Sequence, residues 1–236
     1  MINQVLPRSC RGVRRGERLT NGCGKRYNGF TLIELIVVVG IIIVLSGLVL
    51  STVGYARKKG ARARAETEIA AMSAALESYK ADNAVYPRDC NTDQLVASSS
   101  GDPSAYQAAS LYLYKQLSGD TSANFQPPPS ARSYFTFKPQ MLEGPRDGNG
   151  NLTAVNYIKD PFGNSYGYST LSANYLDWQN YIDCVNRGGN CSAPNCTQPS
   201  GLGYNPTFDL WSTASVAPSP TPPPPSTLQN LWIKNW

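Results

Sequence analysis

The pattern of apolar and polar positions divides the chain unevenly. From Leu35 to Ala56 run 22 residues without a charge. At about 1.5 Å of rise per residue, such a run in a helix spans a hydrocarbon layer of about 30 Å. Beyond Ala56 the helical period continues in a different character. Arg57 to Arg64 is basic, and Ala61, Ala63 and Ala65 favour helix. Ile69, Met72, Leu76 and Tyr79 then recur every three or four residues, with Glu66 and Glu68 on a polar side. The helix is predicted to end near Asn83, before Tyr86-Pro87, because a residue preceding proline disfavours the helical region. From Thr31 it would be roughly 75 Å long, and its stripe is predicted to pack on a globular head.

The remaining pattern is shorter in period. Leu111 to Leu117 reads as a brief helix stopped at Ser118-Gly119. The triple proline at 127 to 129 marks an exposed loop, and Ser133 to Lys138 is either a short strand or an extended arm. Asp160-Pro161 and Gly163-Asn164 are turn signals, as are Gly119-Asp120 and Asp147 to Gly150. Ser165 to Ser169, Phe208 to Ser212 and Leu231 to Ile233 are predicted strands. They suggest a small antiparallel sheet whose apolar face receives the helix stripe. The expected class is α+β, with four segments: a basic leader 1–29, a transmembrane half-helix 30–56, a second half-helix 57–83, and a head 84–236.

Charge sharpens this division. The 236 residues carry a net +5, but residues 1–29 hold seven basic residues and Glu17, a balance of +6. The rest balances at −1. The basic character belongs to the leader, so no nucleic-acid partner is expected. Histidine is absent, which removes the commonest general base and metal ligand. There is no G-x-S-x-G, no phosphate-binding glycine loop and no paired metal motif, so no enzyme is expected. Cys10 and Cys23 lie in the leader; Cys90, Cys184, Cys191 and Cys196 follow the apolar run. Those four allow three pairings. Without C-x-x-C or histidine, disulfides in an oxidising compartment are the preferred reading over zinc.

Glu34 raises a question, because an acid at the edge of a membrane run needs a partner. An ordinary signal anchor leaves it unexplained. Were the chain cut after Gly29, the new amine of Phe30 would lie one helical turn from Glu34 and could pair with it, within a subunit or between neighbours. Gly29-Phe30-Thr31-Leu32-Ile33-Glu34 resembles the processing site of type IV pilins and type II secretion pseudopilins. The resemblance implies a type IV pilin-like fold. It also implies that a prepilin peptidase cleaves between Gly29 and Phe30 and N-methylates Phe30. Glu34 would then place each subunit in a helical filament.

The head narrows the resemblance. Tyr86-Pro87, Lys159 to Asn164, Phe208 to Ser212 and terminal Asn235-Trp236 resemble the major pseudopilin of type II secretion systems. That subclass implies calcium held by aspartates in a loop after the Asp209-Leu210-Trp211-Ser212 strand. Here the loop Thr213 to Asn230 has neither Asp nor Glu. Asp209 and Ser212 alone cannot supply the six to eight oxygens calcium prefers, so neither calcium nor another cofactor is expected. The proline-rich stretch 217–226 is read as a stiff polyproline spacer. Asn180 to Ser200, with three cysteines, is read as a disulfide-pinned surface loop.

The function so implied is a structural subunit of a periplasmic pseudopilus that supports export of folded proteins across the outer membrane. The chain would sit in the bacterial inner membrane by a single pass, head in the periplasm. Its partners would be further copies of itself, the prepilin peptidase, the assembly platform and the minor pseudopilins. The alternative is a type IV pilin serving adhesion, twitching or DNA uptake.

Overall fold

The computed structural model of the chain describes residues 30–97, 102–214 and 231–236, apart from the side chains of 50–52. The leader, with Gly29 in it, and the proline-rich segment 217–226 lie outside these residues. The chain forms two compact units, Met1–Leu50 and Ser51–Trp236. Helix α1, Leu32–Asn83, begins in the first. The apolar side chains from Phe30 to Val49 are exposed there, Phe30 at 82% and Leu32 at 78%.

In the second unit α1 stops where the sequence predicts. Ala84 turns into the left-handed region at φ 64° and its N–H donates to Lys80 O at 2.8 Å. The Asn83 side chain donates to Tyr79 O at 2.9 Å, occupying a carbonyl of the last turn. Helix α2 is a single turn, Cys90–Asp93, closed by a reciprocal capping box between Asp89 and Thr92. Helix α3 spans Gln107–Ser118. Gly119 ends it at φ 76°, and a Cβ there would sit 2.7 Å from Arg132 O, so conformation and space both require glycine.

Five short strands follow. Strands β1, Leu142–Glu143, and β2, Tyr157–Ile158, form an antiparallel pair with Leu142 opposite Ile158. Strands β3 (Gly167–Ser169), β4 (Asp209–Ser212) and β5 (Ile233–Lys234) make an antiparallel sheet in the order β3-β4-β5. Gly167 faces Trp211, and a Cβ on it would lie 2.1 Å from the indole ring. The glycine lets the indole lie flat on the neighbouring strand.

The core closes as the stripe predicts. Ile69, Met72 and Leu76 of α1 are buried with Leu113 and Leu117 of α3 and with Leu142, Ile158, Tyr168, Leu210 and Ile233 of the strands. A second cluster holds Tyr106, Trp211 and Trp232, with the two indoles stacked at 6.2 Å between ring centroids.

One open reading is resolved and two expectations change. Ser133 to Lys138 is an arm, not a strand: the N–H groups of Tyr134 and Phe135 both donate to Leu117 O, at 2.8 and 3.0 Å. They satisfy a carbonyl that the end of α3 leaves open. The last strand begins at Ile233, while Leu231 is 55% exposed. Asn180 to Asn186 is not loop but the end of helix α4, Leu171–Asn186. The inward positions of α4 include Ser172 and Asn174, so its buried face lacks the apolar period that signals a helix.

Candidate functional site

The first candidate site is the start of α1. Phe30 and Thr31 precede the helix, and Thr31 caps it. The Thr31 N–H and hydroxyl both donate to the Glu34 carboxylate at 2.9 Å. In return the Glu34 N–H donates to Thr31 Oγ1 at 3.3 Å. This reciprocal arrangement is a capping box, Thr-x-x-Glu. Its signature stands in the sequence as Thr31-Leu32-Ile33-Glu34, the same residues that carry the processing motif. Glu34 thus has a local partner in the isolated chain and keeps its carboxylate exposed. Beyond it α1 is long and apolar enough to cross a membrane, as a single-pass anchor would be.

The second site is the face of the head where α2 meets α4. Arg88 lies between Asp93, at 2.8 Å, and Asp177, at 2.8 Å. Burial lowers the guanidinium's proton affinity, but hydrogen bonds and charge from Asp93 and then Asp177 outweigh it and raise the pKa. The Thr170 hydroxyl adds a 2.7 Å bond to Asp93, and Asn174 Nδ2 bridges Asp93 O and Thr197 O at 3.0 and 3.1 Å. The four cysteines of the head pair as Cys90–Cys196 and Cys184–Cys191, with Cα separations of 5.3 and 6.2 Å. The first ties α2 to the segment after α4; the second closes the turn at the end of α4. A cleft of about 780 Å³ lies between them.

The third site is the strand that leads into the loop where the family resemblance implies calcium. The Asp209 carboxylate accepts from the N–H groups of Tyr204 and Asn205 at 2.9 and 2.8 Å. Ser212 donates its hydroxyl to Asp160, whose carboxylate also accepts from the N–H groups of Phe162 and Asn164. Three residues apart on one strand, Asp209 and Ser212 face opposite sides of the sheet. Among the described residues no group of three or more acidic or cysteine side chains is arranged to hold a metal. Asp209 and Ser212 therefore do not converge on one set of calcium donors, and residues 215–230 of the loop to which the resemblance assigns the ligands lie outside the described residues. The Asp160 turn is structural: it pins the Asp160 to Asn164 loop to β4.

Two family models and several curated proteins are similar to the N-terminal part of the chain. The model of the prokaryotic N-terminal methylation motif matches residues 24–50, and that of type II secretion system protein G matches residues 52–126. Residues 24–126 are thus similar first to a prokaryotic N-terminal methylation motif and then to type II secretion system protein G. Among curated proteins, the type II secretion system core protein G of Vibrio cholerae is 40% identical over 70 residues, 30% of this chain and 46% of that protein. The corresponding protein of Klebsiella pneumoniae is 35% identical over 82 residues, 34% and 59% of the two chains. That of Escherichia coli is 40% identical over 62 residues, 26% and 43%. The matches span about half the length of these relatives. No solved structure matches.

The long apolar helix and small antiparallel sheets agree with the α+β, pilin-like class. The methylation motif spans the Gly29-Phe30 bond and Glu34. The protein G match ends at 126, so α4, three of the head cysteines and the Asp209 strand belong to the part of the chain beyond it.

Proposed function

We propose that the chain is a structural subunit of a type II secretion pseudopilus, supporting export of folded proteins across the outer membrane. The observation that carries this is the order of the two family matches: a methylation motif over 24–50, then a protein G domain from residue 52. In this reading a prepilin peptidase cuts between Gly29 and Phe30 and methylates the Phe30 amine. The exposed apolar helix holds the subunit in the inner membrane, and neighbouring copies later bury it within the filament. The capped end of α1 keeps the Glu34 carboxylate exposed, available to a neighbour's Phe30 amine. Two disulfides in the head favour the periplasm, where such bonds persist. No residue is assigned a catalytic role and no calcium is assigned to the head. The assembly platform and minor pseudopilins are the expected partners.

Deleting the gene and measuring the secretome beside twitching and transformation tests this. Loss of exoprotein secretion with twitching and transformation intact is the expected result. Intact secretion with loss of either surface activity would replace the reading with that of a type IV pilin.

A further inference from the structure

A cavity of about 570 Å³ opens beside the part of α1 that follows the uncharged run. Tyr55, Lys58, Lys59 and Arg62 form one wall; spaced three and four residues apart, they share a helix face. Phe162, from the Asp160 turn, and Leu231, ahead of β5, form the other. The site is therefore amphiphilic: cations on one side, aromatic and aliphatic surface on the other. Arg62 is held in place, donating to Leu231 O at 3.0 Å and Trp232 O at 3.4 Å and pairing with Glu66. Lys58 and Lys59 have no ion pair among the described residues, and both are exposed. Tyr55, at 71% exposure, and Leu231, at 55%, present apolar surface to the same space.

We propose that this cavity is a seat for one anionic phospholipid, its phosphate between Lys58 and Lys59 and its glycerol and upper acyl carbons against Tyr55, Phe162 and Leu231. Position along the chain selects this occupant. The uncharged run ends at Ala56, within the same helical turn as Tyr55 and Lys58. If the run lies in a bilayer, the cavity mouth lies at headgroup depth, where basic clusters attract anionic lipid and long cationic side chains reach the interface. A soluble anion would leave the apolar wall unused. The seat rests on the membrane placement of α1 and not on the secretion reading. It would hold each subunit at a fixed depth before assembly.

The full chain, extracted in mild detergent and offered equal phosphatidylglycerol and phosphatidylethanolamine, is examined by native mass spectrometry. The expected result is one retained phosphatidylglycerol per chain, with a preference of about tenfold. K58Q/K59Q should abolish that preference, and so should Y55S/L231S, which removes apolar wall at exposed positions without altering charge. Lys115→Gln, on α3, should leave it unchanged. Circular dichroism unfolding checks that the variants fold. Equal retention of both lipids by the parent chain would overturn the seat. So would displacement by inorganic phosphate, or a K58Q/K59Q effect that Y55S/L231S does not share, since diffuse charge would then suffice. Loss of self-association in K58Q/K59Q with unaltered lipid retention would assign the lysines to a second copy of the chain and overturn it too. An alkaline wash of vesicles tests the premise separately: release of the parent chain would overturn the membrane placement itself.

Discussion

The Tyr166 hydroxyl donates to the Glu68 carboxylate at 2.8 Å, joining the long helix to the segment ahead of β3 across 98 residues of sequence. Glu68 is only 9% exposed, and its other oxygen is held by Arg64 at 2.7 Å. Burial is the main reason the Tyr166 phenol is pushed far above its ordinary value, with the Glu68 charge next. The phenol stays protonated and remains a donor. Removing it leaves a nearly buried carboxylate oxygen without a partner. Tyr166→Phe should therefore cost about 1.5–3 kcal/mol, the range for hydrogen bonds to charged groups. Chemical denaturation measures this. A double-mutant cycle with Glu68→Gln should show the two sites coupled by more than about 0.5 kcal/mol, and additive effects would refute the link.

The Asp160 turn gives a pH signature. Burial, opposed by hydrogen bonds from Ser212 and the turn N–H groups, raises the Asp160 pKa above its ordinary 3.8. The folded state then binds this proton more tightly than the unfolded state. Its contribution to stability is full below 3.8 and is lost as the pH rises through the raised folded value. Asp209, also raised by burial, acts in the same direction. Glu143, lowered chiefly by its hydrogen bond from Lys159, acts in the opposite one. The difference between parent and Asp160→Asn isolates the Asp160 share. Thermal unfolding from pH 3.8 to neutrality should show the stability of D160N falling less, or rising more, with pH than that of the parent. Parallel curves would mean that Asp160 titrates alike folded and unfolded.

The two disulfides close loops of very different length. Cys90 and Cys196 are 106 residues apart; Cys184 and Cys191 are 7 apart. On the chain-entropy account a loop of about 100 residues is worth about 4.7 kcal/mol and one of seven residues about half that. C90S/C196S should accordingly lower the unfolding free energy about twice as much as C184S/C191S, measured in denaturant without reductant. An equal loss from both would mean that native packing around α4, not loop closure, sets their contribution.

How much of this was legible in sequence depends on the range over which each signal acts. The stop of α1 at Asn83 and the glycine end of α3 follow from local backbone chemistry, and the sequence showed both. The buried stripe Ile69, Met72, Leu76 was equally plain, because a period of 3.6 persists over several turns. Helix α4 was not legible: Ser172 and Asn174 occupy inward positions, and only their tertiary partners, Gly203 N for Ser172 and the Asp93 and Thr197 carbonyls for Asn174, explain polar residues there. Strands β1 and β2, two residues each, are too short to carry an alternation. The Cys90–Cys196 pairing and the Arg88–Asp177 ion pair join residues far apart in sequence, which no local pattern reports. At the N-terminus the Thr31–Glu34 capping box was present in four consecutive residues, overshadowed by the processing motif that shares them.

That overlap gives Glu34 two separable roles, and three substitutions divide them. Glu34→Ala removes both the charge and the reciprocal cap. Glu34→Gln keeps a side chain able to complete a capping box but removes the charge. Thr31→Ala removes the hydroxyl cap, at about 0.5–2 kcal/mol of helix stability, and keeps the charge. If Glu34 acts by pairing with a neighbour's Phe30 amine, E34A and E34Q should both lose filaments in a shearing assay while T31A assembles near the parent level. If capping is what matters, E34Q should assemble and T31A should fail with E34A. The first pattern is expected, since loss of one terminal cap frays at most a turn of a helix that runs to Asn83. Intact mass of each variant from its own membrane should show a chain beginning at N-methylated Phe30. That result confines any assembly defect to a step after maturation. A chain retaining residues 1–29 in cells with an active prepilin peptidase would instead mean that the Gly29-Phe30 bond is not processed and that the Glu34 carboxylate never meets a Phe30 amine.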